Sequence, residues 1–334
     1  VSNPAQTDLR ITSASGILAA LPAMIGFTPH NSIVTILLAS ETARKTFVRA
    51  VIRSDAADGA APAADIAVAA SRQGVDAAIL VAVADAGHTV SALQAVDGIR
   101  DYLKDAGIEV HRALHTFELT AGALFSDLDT SDGGIIPDPA SSEVAAAQVL
   151  SGRAIESDRT AVEHRFVQGE EIPESVGLRA AALLGDDFLA ATFEELAATV
   201  YAREIPSETI VSRVGITLSR SPLDVRDAYL RLAIYSEQHA LEAMTHIARG
   251  LRGTARAQAL TIAAYFAYLG GDGAAAGIAI DAARRAADNV GAEVPSFTTL
   301  LDRALRAGLE PENLRELIPS AETVEKSTGA TLTG

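Results

Sequence analysis

The sequence predicts an α/β domain at the amino end, with a mixed or partly parallel sheet, followed by an all-α domain with tetratricopeptide-like character. Three observations carry that expectation. Strand and helix patterns alternate over roughly the first 130 residues, the order that builds an α/β sheet. From Ser141 onward no strand pattern recurs, and helical stretches follow one another. Aromatic residues make up only 4% of the chain, with 0 Trp, and alanine fills much of the apolar content, as in closely packed helices.

In chain order, Ser13 and Ser15 offer amino-terminal caps to a helix carrying Ile17, Leu18, Leu21, Met24 and Ile25; Gly26 and Pro29 end it. Ser32–Ala39 is β-branched and uncharged, which predicts a strand covered on both faces. Lys45–Ser54 has high β-propensity, although Phe47, Ala50 and Ile52 do not fall on one clean face. A helix is expected over Ala63–Gln73 and a second buried strand over Ala77–Ala84. Thr89–Ala106 is amphipathic, with Val90, Leu93, Val96 and Leu103 on one side and Gly107 closing it. Ile108–Leu119 reads as a strand able to pair with Ala123–Leu128.

Between Asp127 and Ser142 the composition changes, with Gly133, Gly134, Pro137 and Pro139 supplying breaks. The domain boundary is placed there, giving an α/β domain over 1–135, a helical domain over 141–318 and a flexible tail over 319–334. In the helical part, Ser157 is read as a cap, and Leu178–Val200 as a long helix that breaks at Gly185. Ser221 to Asp224 is read as a capping box and Ser236 as a helix start. Ala255–Leu269 and Asp272–Val290 form an expected hairpin, compatible with a short solenoid or with an irregular bundle.

Composition removes several function classes. The 334 residues suffice for about two domains, and 49% hydrophobic against 21% charged content marks a globular chain. With 27 Lys+Arg against 43 Asp+Glu the formal net charge is −16, a field that disfavours non-specific nucleic-acid binding. The 0 Cys exclude disulfides, thiolate metal sites and thiol catalysis. Val1–Arg10 lacks a cationic leader region, and the apolar runs Gly16–Phe27 and Ile33–Ala39 are shorter than the ~20 residues that span a bilayer, so a cytoplasmic location is expected.

The candidate chemistry lies at strand ends, where ligands of open α/β sheets bind. Asp55 follows the second strand, Asp85 follows the third with His88 three residues on, and Arg53 is placed to neutralise an anion. These four residues would suit metal-assisted or phosphate-directed hydrolysis, or they solvate the sheet edge and cap helices. Gly271–Gly277 resembles a dinucleotide fingerprint but has the wrong spacing and follows a helix. His111 and His115, four apart, would share a strand face, yet no carboxylate cluster completes a metal site. No Gly-x-Ser-x-Gly elbow or phosphate loop occurs, and no cofactor is implied. Arg249, Arg252, Arg256, Arg284, Arg285, Arg303 and Arg306 enrich the last helices in positive charge, either as a basic groove for an acidic or phosphorylated partner or as surface ion pairs and helix-end charges.

Gly16–Val34, with Pro22, Gly26, Phe27, Pro29 and Ser32, resembles the opening signature of the actinobacterial domain-of-unknown-function family 4192, in which a Leu/Ala-rich helix ends at Pro-x-x-Gly-Phe-x-Pro before a hydrophobic strand. Arg53-Ser-Asp55 is similar to that family's Arg-x-Asp strand end, and Ile79–Asp85 to its central strand. Ser142–Arg159, Ser221–Arg231 and Ala257–Asp272 resemble its helical portions. Members often carry a Gly-Arg-Trp-Trp hairpin and cysteines before the linker, whereas Phe117–Phe125 here has neither. The resemblance implies an actinobacterial or phage origin and imports no activity. The leading functional expectation is therefore a protein-interaction or scaffolding protein that uses its helical surface on a protein partner or on a second copy of itself. The alternative is a nucleotide or phosphate binder, or a hydrolase, using Arg53, Asp55, Asp85 and His88.

Overall fold

The computed structural model describes residues 13–42, 45–150 and 152–331. The segment Val1–Arg10, read above for leader character, and residues 332–334 of the tail lie outside the described residues. The chain divides into two compact units: residues up to 161 with the short segment 306–308, and residues 162–305 with 309 onward.

The first unit opens with α1 (Ala14–Ile25), whose cap Ser13 accepts the Gly16 N–H at 3.0 Å and whose end is turned by Gly26 at φ 91°. Then come β1 (Ser32–Thr42), β2 (Lys45–Asp55), α2 (Ala63–Arg72), β3 (Ala77–Val83), α3 (Thr89–Asp105), β4 (Glu109–Thr116), β5 (Leu124–Asp127), β6 (Gly133–Ile135) and α4 (Glu143–Leu150). The strands form one mixed sheet in the order β2-β1-β3-β4-β5-β6. β1 runs antiparallel to both β2 and β3, while β3 and β4 are parallel and joined through α3. Ile33, Leu37, Ala78, Leu80 and Ala82 pack with Ile66, Ala92, Ala95, Val96 and Ile99 from α2 and α3 on one face. Residues of the opposite parity, Val34, Val81 and Val83, are buried as well, so the central strands are covered on both faces as their uncharged sequences predict.

Two β-bulges explain where simple alternation fails. In β2, Ala50 faces Leu37 but Val48 faces Leu38, so Arg49 is an extra residue. That insertion brings Phe47, Ala50 and Ile52, opposite Ala39, Leu37 and Thr35, onto one face after all. In β4, the partners step from Val110 to Arg112, which makes His111 the extra residue and removes the shared face expected for His111 and His115. His111 instead lies 3.8 Å from Glu109, and the His115 Nε2 is 3.3 Å from the Ala84 carbonyl.

The boundary falls later than the sequence places it. Gly133 and Gly134 are not a linker but β6, paired antiparallel with β5. A Cβ at Gly133 would stand 2.7 Å from the Phe125 carbonyl, and one at Gly134 2.8 Å from the Phe125 ring, so only glycine allows this approach. Past the expected boundary, α4 packs on α1, and Glu156 bonds back to Gly26 and Thr28 at 2.8 and 3.2 Å, tying this stretch to the first unit.

The second unit is helical. It follows α5 (Arg159–Arg165) with α6 (Glu174–Leu184), α7 (Phe188–Ala202), α8 (Glu208–Arg220), α9 (Leu223–Ala228), α10 (Glu237–Gly250), α11 (Gly253–Leu269), α12 (Gly273–Asp288), α13 (Ser296–Arg306), α14 (Pro311–Arg315) and α15 (Ala321–Thr328). The break at Gly185 and the α11–α12 hairpin lie where the sequence predicts them, and Asp272 caps α12 by accepting the Ala275 N–H at 2.9 Å. Nearly every residue of α11 from Arg256 to Leu269 is buried, because α8, α10, α12 and α14 all pack against it. Neighbours in space are thus not limited to neighbours in sequence, as they would be in stacked hairpins.

Three expectations are corrected here. The described part of the expected tail, residues 319–331, is not free: Ser320 caps α15, and Val324 and Ala330 are fully buried. Ser221 forms no capping box; the Asp224 carboxylate accepts the adjacent Val225 N–H at 3.0 Å. The cap ahead of α5 is Asp158, not Ser157. Among the described residues no helix is long and apolar enough to cross a membrane.

Candidate functional site

Because β1 is antiparallel to both neighbours, β2 and β3 run the same way and their carboxyl ends flank the start of β1. The topology therefore gathers Arg53, Asp55, Asp85 and His88 at one end of the sheet. It does not make them a single converging set. Arg53 donates from Nε to Ser32 Oγ at 2.8 Å and pairs through Nη2 with Asp55, two residues along the same strand face. Asp85 pairs with His88 at 2.8 Å. Two residues that sequence reasoning passed over, Asn31 and Ser32, stand between these pairs. Asn31 has φ 45°, donates from Nδ2 to Asp85 Oδ2 at 3.1 Å, and accepts the Asp85 N–H on its Oδ1 at 3.1 Å. Its signal was present in the sequence: an asparagine just before a strand, after Pro29, is the residue type that tolerates this backbone.

The electrostatics of the cluster are those of a cap. Asp85 Oδ1 accepts the His88 ring nitrogen and the N–H groups of Gly87 and His88, while Oδ2 takes Asn31. The His88 contact, followed by Asn31, holds its carboxyl below the ordinary value of 3.8 against a small opposing effect of desolvation. A carboxylate so stabilised is a poor proton acceptor. Asp158, the cap ahead of α5, is likewise held low, chiefly by the Ala161 N–H and then by the Ser157 hydroxyl. No group of three or more His, Asp or Glu side chains is placed to hold a metal ion among the described residues.

The second candidate set, the arginines of the helical unit, separates into different roles. Arg284 pairs with Asp302 at 2.7 Å and Asp281 at 3.5 Å, whereas Arg306 belongs to the first unit, where it lies 3.8 Å from Asp65. Arg249, Arg252 and Arg256 act together on the 164–172 segment. Arg249 donates to the His164 carbonyl at 2.9 Å, Arg252 to that of Gly169 at 2.6 Å, and Arg256 to those of Ala248 and Phe166. The Gly169 and Ile172 N–H groups return bonds to the Arg249 and Gly250 carbonyls at 3.0 and 2.9 Å. Carbonyl dipoles, not carboxylates, are what these guanidinium groups meet. Among the described residues Arg252 alone of the three approaches an acid, Glu171 at 3.7 Å.

Two cavities flank the pinned segment. One, of about 270 Å³, is lined by Phe166, Gln168, Arg256, Arg285, Asn289 and Glu163 among others. The other, of about 380 Å³, lies beside Ile172, Ser212, Leu251 and Val290. Arg256 is only 4% exposed. Burial first, then the charges of Arg252, Arg249 and Arg285, bring its guanidinium down to about 10, a large displacement for the most basic side chain. Arg285 stands exposed on α12 at the mouth of the same cavity.

A family model described as domain of unknown function (DUF4192) matches residues 15–312. No curated protein and no solved structure matches the chain. The match takes in the opening helix, the whole sheet and the helices through the start of α14, and on that extent the chain belongs to the DUF4192 family.

Proposed function

We propose that this chain is a protein-interaction or scaffolding protein whose helical unit carries the recognition surface, and that the partner presents negative charge. The observation that carries this reading is the pair Arg256 and Arg285 in the wall of one cavity, with Arg249 and Arg252 close enough to add to the positive field on Arg256, in a chain of net charge −16. Positive charge concentrated against an opposite overall balance is a steering feature, effective at attracting an acidic surface and at setting orientation. The strand-end residues Arg53, Asp55, Asp85 and His88 support a hydrolase less well, because they spend their polar atoms on one another and on Asn31 and Ser32.

The test uses the full chain immobilised against extract of a cell that expresses it, alongside the Arg285→Glu variant. Retention of a partner that weakens with added salt and is lost in the variant supports the reading, as does self-association by light scattering that the variant abolishes. A chain that stays monomeric and retains nothing differently from Arg285→Glu overturns it.

A further inference from the structure

We propose that the cavity beneath Arg285 is an oxyanion site, built to take a phosphoryl-sized group. This deepens the reading above and rests on it only for the source of the anion, not for the site itself. The walls supply the chemistry. Arg256 is buried, and its bonds to the Ala248 and Phe166 carbonyls leave other guanidinium N–H donors for the cavity it lines. Arg285 brings a second guanidinium from α12, and makes no ion pair with a carboxylate among the described residues. Asn289, one turn beyond Arg285, and Gln168, on the pinned segment, add neutral amide donors. Glu163 also lines the space and is already engaged by another residue.

Without an anion this arrangement is costly to assemble. Guanidinium groups brought together under partial burial repel, and Arg252, Arg249 and Arg285 each disfavour the charge on Arg256. The carbonyls of residues 164–169 offset part of that repulsion as partial charges. A bound oxyanion offsets it with a full one, and forked donors on two guanidinium groups match the several acceptor oxygens of a phosphoryl group better than a single ammonium does. A cavity of about 270 Å³ has room for that group and for part of whatever carries it.

The experiment is a calorimetric titration of the purified full chain with inorganic phosphate, and with acetate and chloride at matched ionic strength, repeated on Arg285→Gln. Arg285 is exposed, so its replacement leaves the fold intact, which circular dichroism checks. Phosphate is expected to bind, and to bind about tenfold more weakly to the variant, the loss typical of one charge-assisted contact. Acetate binding equal to that of phosphate reassigns the natural source to a carboxylate and overturns the phosphoryl assignment; equal phosphate affinity in Arg285→Gln overturns the placement; no phosphate binding overturns the site. None of these outcomes needs the partner, so a site that binds phosphate while the immobilised chain retains nothing sinks the interaction reading alone.

Discussion

At Asp85 one carboxylate joins two segments of the first unit: the turn into α3, through the Gly87 and His88 N–H groups and the His88 ring, and Asn31 just ahead of β1. Its lowered proton affinity gives this a pH signature. A depressed aspartate stabilises the fold at pH above its ordinary value of 3.8, and that contribution is lost as pH falls through the lower value it has when folded. Replacement Asp85→Ala is expected to lower Tm at neutral pH, with the gap from the parent closing in acid below 3.8; thermal melts across that range check it, and a constant gap would remove the carboxylate from the account. The positions of Arg53, Asp55, Asp85 and His88 at one sheet end were legible in the sequence, since strand-end acids follow from the strand pattern. Their pairing was not. It depends on Asn31 reaching across from β1, a contact 54 residues distant in sequence that no local pattern encodes.

Between elements, α6 and α8 of the helical unit approach closely at Gly177. A Cβ there would meet Ile216 and the Ser212 carbonyl carbon at 2.8 Å and the Arg213 nitrogen at 2.9 Å, two of them backbone. The Ser212 hydroxyl completes the junction by accepting the Gly177 N–H at 2.9 Å and donating to the Pro173 carbonyl at 2.9 Å. Gly177→Ala is therefore expected to cost about 1–3 kcal/mol by forcing the two helices apart, read as a lower denaturant midpoint. An unchanged midpoint would mean that the helices slide without penalty. Element type was legible almost throughout, because long periodic runs dominate, but faces were less so. In α3 the buried stripe is Ala92, Ala95, Val96, Ile99 and Leu103: of the larger residues expected on that side Val96 and Leu103 are buried, while Val90 is 69% exposed and alanines complete the contact. The bulges at Arg49 and His111 defeat a strict period of two for a different reason, since one inserted residue reverses every face beyond it.

Across the whole chain, the polar composition of 319–334 suggested a loose end, yet α15 packs on α7 and α9 and places Val324 in the interior. A truncation ending at residue 319 is expected to lose at least the burial of that valine, about 1.5–3 kcal/mol, where a frayed tail would cost nothing; the melting temperature decides between them. The division into a sheet-bearing front and a helical back was legible because the two hydrophobic periods differ. The place of the division was not, since what holds residues 143–161 to the front is packing of α4 on α1 and two backbone bonds from Glu156. Helix α11 has a further consequence for how the molecule comes into being. Synthesis proceeds from the amino end, so α11 is complete while α12 and α14, which close over it, have yet to be made. For that interval the apolar cylinder is sheltered by the earlier elements α8, α10 and the turn Tyr229–Ile234, and its full burial waits for the helices made after it.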